Sequence, residues 1–205
     1  QNAFSWDKVF LQIADIDAAE TAEWFDGMGI KPIGSSLGNK FTGIYDGDGF
    51  AIQNLTINRP IADGVGLFGA TGFNLDKEVT LKNIVHNDVS ITGGSNVGAL
   101  LGKSEEQIHI MNCSSTGAVH ANASASGGLI GSVLEPETYI DQCFSTCEVS
   151  AGLQDAGGFA GVCTGSVSNS YARGNVSVQE GNNAGGFIAH SSGEISFCYS
   201  TGTAI

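Results

Sequence analysis

Two short tracts recur along this chain on a single beat, which limits it to folds made of stacked repeats. The first runs Val65-Gly66-Leu67-Phe68-Gly69, Gly98-Ala99-Leu100-Leu101-Gly102, Gly127-Gly128-Leu129-Ile130-Gly131, Gly157-Gly158-Phe159-Ala160-Gly161 and Gly185-Gly186-Phe187-Ile188-Ala189, at steps of 33, 29, 30 and 28 residues. The second begins at Ile52-Gln53-Asn54-Leu55 and Leu81-Lys82-Asn83-Ile84. It returns at Ile110, Ile140, Val167 and Ile195, at steps of 29, 29, 30, 27 and 28. One coil, residues 166–193, shows what fills the period. Ser166 to Ala172 is extended, Arg173-Gly174 is a break, and Asn175 to Gln179 alternates polar residues with Val176 and Val178. A polar turn at Glu180 and a small-residue apolar stretch from Ala184 to His190 complete it. Three short strands and three turns with no 3.6-residue periodicity exclude a helical repeat.

One such unit cannot bury its apolar side, whereas stacked units can, each strand pairing with its equivalent about 4.8 Å away. The expected fold is all-β, a right-handed parallel β-helix of about five to six coils of 27–33 residues. A left-handed helix would need an 18-residue beat with a six-residue sub-period, which is absent. The interior is expected to hold one column at Ile52, Leu81, Ile110, Ile140, Val167 and Ile195. A second column runs Leu55, Ile84, Cys113, Cys143, Ser170 and Cys198. Between them Asn54, Asn83, Asn112, Gln142 and Asn169 form an expected amide ladder, at a bend that Asn tolerates. Three of the five cysteines share one column, and Cys143 and Cys147 would lie about 13 Å apart on an extended strand, too far to bridge. Together with the absence of zinc or C-x-x-C spacing, this predicts buried free thiols.

Residues 1–40 lack the repeat and are expected to be an N-terminal cap, with 41–205 forming the repeats of the same single domain. In the cap Phe10-Leu11-Gln12-Ile13 predicts a strand, and Asp17-Ala18-Ala19-Glu20 resembles a capping box opening a short helix to about Phe25. A solenoid's open end needs such a cover. None follows Ile205, so a larger parent chain or a stacking partner is expected. The start at Gln1 without a Met fits either removal of a signal peptide or a sequence that simply begins there.

The Gly-Gly-Leu-Ile-Gly tract and its four relatives resemble the GLUG motif. Phe41-Thr42-Gly43, Asp46-Gly47-Asp48-Gly49 and Ile52 to Ile57 resemble the opening coil of GLUG-containing bacterial surface proteins. Cys143-Phe144-Ser145 and Cys198-Tyr199-Ser200-Thr201-Gly202 are similar to that family's Asn-Cys-Tyr-Ser-x-Gly. The likeness covers roughly residues 5–205 and departs at Ala189 and Cys147, where Gly is expected. It implies a secreted or cell-surface β-helix, often in adhesin-like proteins or beside the protease region of immunoglobulin-A peptidases. It implies no shared chemistry.

Composition narrows the partners. The net charge is −13, from 21 acidic and 8 scattered basic residues, so no phosphate-binding patch and no nucleic-acid partner are expected. No apolar run approaches the roughly 18 residues of a membrane span. Gly34-Ser35-Ser36-Leu37-Gly38 fits G-x-S-x-G, but no helix follows to build a nucleophile elbow, so a loop is expected there. Asp15/Asp17 and Asp46/Asp48 are the carboxylate pairs that glycoside cleavage would use, and both sit in turn or cap sequences. A lyase would also want a cationic base, and from 104 to 205 only Arg173 is Lys or Arg. His86, His109, His120 and His190 fall at different phases of the coil and should not converge on a metal. Calcium at Asp46/Asp48 would lack the full EF-hand ligand set. Sequons stand at Asn54, Asn112, Asn122 and Asn175, two of them in the expected ladder, where glycosylation would conflict with stacking.

The expectation is therefore a non-catalytic extracellular module, an adhesin stalk or binding surface, with no catalytic, metal or cofactor site. Its expected partner is a host or cell-surface protein or glycan. The alternative is a filament subunit joined end to end with copies of itself, since terminal strands template further strand addition. A polysaccharide-cleaving enzyme ranks below both.

Overall fold

The computed structural model describes residues 6–35, 38–181 and 183–205. The chain winds into a parallel β-solenoid of about five turns, with three sheets running along its length. One sheet has seven strands, from Val9–Leu11 through Ile44–Asp46, Thr80–Lys82, His109–Met111, Tyr139–Asp141 and Ser166–Ser168 to Ile195–Ser196. A five-stranded sheet is built from the Gly-rich tracts: Phe68–Thr71, Leu101–Ser104, Ile130–Val133, Ala160–Cys163 and Ile188–Ser191. A thirteen-stranded sheet covers the legs between them.

The interior column appears as Leu81, Ile110, Ile140, Val167 and Ile195 in direct register. Its head, however, is Tyr45 and Phe10, and not Ile52. Ile52 pairs with Ile16 and His86 on the next leg. The reason is the turn at Gly47–Phe50, where Gly47 N–H and Gly49 N–H bond to the Lys82 and Asn83 carbonyls. This turn adds residues to the first corner, so an Ile-x-x-Leu spacing recurs one leg later. Leu55 accordingly leaves the cysteine column, its carbonyl receiving the Ser90 N–H.

The bend between the columns is left-handed backbone, with φ of 55° at Asn83, 51° at Asn112, 53° at Gln142, 49° at Asn169 and 54° at Phe197. Asn adopts this region far more readily than other residues with a Cβ. Its amides bond along the stack: Asn112 Nδ2 donates to Asn83 Oδ1 at 2.8 Å, and Asn83 Nδ2 to Asp46 Oδ1 at 2.9 Å. The ladder is interrupted at Gln142, where Asn169 Nδ2 reaches Asp141 Oδ1 instead, at 2.7 Å. Asn54 belongs to a different corner and donates to Asp17 Oδ1. Glycine is required where legs converge. A Cβ on Gly127 or Gly157 would collide with the carbonyl oxygen of Ile130 or Ala160.

All five cysteines are free, and four are buried. Cys113 N–H donates to Cys143 Sγ at 3.4 Å, and Cys143 N–H to Ser170 Oγ at 3.1 Å, so the column packs as thiols and a hydroxyl.

At the N-terminal end the expected helix is corrected to a single 3₁₀ turn, Ala19–Glu23. Asp17 Oδ1 receives Ala19 N–H and Asn54 Nδ2, an Asx turn rather than a capping box, and no side chain caps the turn at Ala18. Thr21 explains the brevity. Its hydroxyl accepts Thr56 N–H and donates to the Ala18 carbonyl, pinning the turn to the first full coil. Trp24 is extended, and Phe25 and Asp26 take positive φ, so no second turn forms. The region is itself an incomplete coil. Val9–Leu11 extends the seven-stranded sheet, Ile16–Asp17 pairs with Ala51–Gln53, and Ile33 bridges to Phe68. Trp6, Phe10, Phe41, Phe68 and Tyr45 form a chain of ring contacts 4.8–6.0 Å apart that plugs this end.

Candidate binding groove

A hollow of about 380 Å³ runs along the thirteen-stranded sheet. Strand alternation builds it. Ile57, Ile91, Val119, Val149, Val176 and Ala204 stack in register, with Ile57 to Val176 buried. The residues on either side of that column therefore point outward. One outward row is Ser90, Ala118, Glu148, Asn175 and Thr203; the other is Thr92, His120, Ser150, Ser177 and Ile205.

The floor is ordered by hydrogen bonds between coils. Asn122 Nδ2 donates to the Pro60 carbonyl at 2.8 Å, which turns Asn122 Oδ1 toward His120 Nε2, 2.9 Å away. In the neutral ring this places the proton on Nε2 and leaves Nδ1 to accept the Ser150 hydroxyl, 2.8 Å away. Further along, Asn175 Oδ1 accepts both Thr203 N–H and its hydroxyl, and Asn175 Nδ2 donates to Glu148 Oε1.

Four residues before the Glu148, Asn175 and Thr203 row on the same legs, Phe144, Tyr171 and Tyr199 stack in register, with ring centroids 4.8 and 5.1 Å apart and planes within 2° and 9° of parallel. The Arg173 guanidinium lies 4.8 Å from the Tyr171 ring centre and donates to Tyr199 Oη at 2.9 Å. Sequence reading singled out neither the groove nor this stack. The 27- and 28-residue intervals between Phe144, Tyr171 and Tyr199 carry the repeat, so following the period through outward as well as inward columns would have found them.

Ser150, His120 and Asn122 have the hydrogen-bond order of a nucleophile, a base and its orienting group. Acyl transfer also needs donors aimed at the developing oxyanion, and Val149 N–H beside Ser150 is committed to the Asn175 carbonyl at 2.9 Å.

The residues weighed for other chemistry are dispersed. Ser36 lies outside the described residues. Asp15 Oδ1 accepts Ala51 N–H; Asp46 accepts Asn83 Nδ2 and Asp48 N–H and pairs with Lys82 at 3.1 Å. These bonds and the Lys82 charge outweigh desolvation and lower the Asp46 carboxyl. His86 is wholly buried, His109 Nδ1 lies 3.4 Å from Glu78, and His190 is exposed on the five-stranded sheet. Among the described residues no three His, Cys, Asp or Glu side chains gather as a metal site. All four sequon asparagines, Asn54, Asn112, Asn122 and Asn175, are exposed, so ladder stacking does not bury them.

No family model matches the chain. Over 122 residues, 58% of its length, it is 44% identical to halomucin of Haloquadratum walsbyi, and spans about 1% of that protein. The crystal structure of a "putative immunoglobulin A1 protease" from Bacteroides ovatus matches 95% of this chain and 69% of its own with a TM-score of 0.66. At 22% identity that match bears on the fold alone, and it agrees with the solenoid described above.

Proposed function

We propose that this is a non-catalytic, extracellular β-helical module of GLUG-repeat type, wound right-handed, that acts as an adhesive stalk and binding surface. The observation that carries the reading is the groove, a row of outward polar side chains ordered by bonds between coils on a rigid stack. The net charge of −13, with only eight Lys and Arg, suits an extracellular setting. So does the 44% identity to a protein bearing the name of a mucin. Beads coated with the chain and passed under flow over glycoprotein and polysaccharide surfaces test it. Retention on at least one surface, lost with His120→Ala, is expected; passage over every surface without retention refutes it.

A second reading is end-to-end association of copies, favoured by apolar side chains exposed on the first and last coils. Val9, Leu11, Ile13, Ile16, Trp24 and Phe25 are exposed at one end, and Ile195, Phe197, Tyr199 and Ile205 at the other. The N-terminal end also holds an apolar hollow of about 300 Å³, lined by Ile16, Trp24, Ile52, Leu55 and Leu67 among others. Light scattering across a concentration series tests this reading, which fails if the mass stays that of one chain.

A further inference from the structure

We propose that the groove takes a neutral, extended polysaccharide lying parallel to the solenoid axis, about one sugar to each coil; this rests on the reading of the groove as the binding surface. Five coils contribute outward residues, from Ser90 to Thr203, each displaced from the last by about 4.8 Å. That spacing is close to the advance per residue of an extended pyranose chain, so successive sugars would meet successive members of the same two rows.

The side chains match sugar hydroxyls, which both donate and accept. Ser150, Ser177 and Thr92 offer hydroxyls, Asn175 an amide and Glu148 a carboxylate. His120 and Asn175 are already held by neighbours, so little side-chain freedom is lost on binding. The Phe144–Tyr171–Tyr199 stack runs along the same legs four residues before the Glu148, Asn175 and Thr203 row, and its ring edges form an apolar strip that would bound the sugar chain on that side.

Other ligand classes fit poorly. An extended peptide adding as a strand needs an open sheet edge, and the central floor strands, Ser114–Ala121 and Glu148–Ala151, are paired with coils on both sides. An anionic polymer would meet Glu148 and a chain of net charge −13, with Arg173 at the flank already engaged by Tyr199.

Calorimetric titration with the β-1,4-linked hexasaccharides of glucose, xylose and mannose, their disaccharides, and hexagalacturonate tests the assignment. At least one neutral hexasaccharide should bind about tenfold or more tighter than its disaccharide and than hexagalacturonate, a difference of about 1.4 kcal/mol or more. His120→Ala and Tyr171→Ala, both at outward positions, should each weaken it about tenfold while thermal unfolding stays within a few degrees of wild type. No neutral hexasaccharide binding, preference for hexagalacturonate, or binding indifferent to both substitutions would overturn the proposal. If coated beads are retained through His120 while no sugar binds, the glycan assignment falls and the binding-surface reading stands; if neither occurs, both fall.

Discussion

His86 should make this solenoid acid-labile in a way that a single substitution removes. Its ring lies wholly inside the stack, in the column of Ile52 and Ser115, and neither ring nitrogen has a hydrogen-bond partner. Burial alone pushes its pKa from 6.5 down to about 4. The unfolded chain protonates His86 below pH 6.5, whereas the folded chain resists until about pH 4. Stability is therefore lost progressively as pH falls through that window, and the loss is complete below it. A shift of roughly 2.5 pH units is worth about 3 kcal/mol. Leu is the natural replacement, because the preceding coil carries Ile52 at the same position. Chemical denaturation of wild type and His86→Leu at several pH values from 7.5 to 4 isolates the effect, since the carboxylates titrate in both. The gap between the two should widen by about 3 kcal/mol on acidification. It should already favour the variant by about 1 kcal/mol at neutral pH, where the unpaired ring nitrogens still cost desolvation. Parallel pH profiles would show that His86 reaches water or a partner, and would refute the reasoning.

Other consequences of the packing are open to direct measurement. Gly127→Ala drives a methyl into the Ile130 carbonyl and should cost about 3 kcal/mol; an unchanged denaturation midpoint would contradict the close approach. Asn112→Ala loses both the bond to Asn83 and a residue suited to left-handed backbone, for about 2 kcal/mol. Asn112→Gly should recover about half of that; equal losses would mean the backbone preference is immaterial. Of the five thiols only half-buried Cys198 should react readily with an aromatic disulfide reagent in the native state, and reductant should leave the melting temperature unchanged. Burial raises Cys163 to about 11, so rapid reaction there at pH 8 would contradict its packing.

The amino-acid sequence was sufficient for the architecture because a solenoid repeats one local problem. The same Ile/Leu/Val, Asn and Gly choices recur at equivalent places, so each coil corroborates the others. The unpaired state of the cysteines followed from the same periodicity. Register at the first corner did not follow, since Ile52 and Tyr45 are both apolar and two legs carry similar spacing. Only the hydrogen bonds of Gly47 and Gly49 distinguish them. The cap helix failed for a related reason: Asp17 and Glu20 express a local preference that the Thr21–Thr56 bond overrides.

The groove was the least visible feature from sequence, and its character explains why. Ser, Thr, His and Asn at outward positions are what any solvated strand face carries, so no motif marks them. What makes them a site is that winding brings residue 120 beside 150, and 144 beside 171 and 199, in one register. The repeat by itself determined that the chain winds and what fills its interior, because burial repeats with the period. The tertiary structure decided which polar and aromatic side chains share the outer face, because those contacts form only between residues a full coil apart.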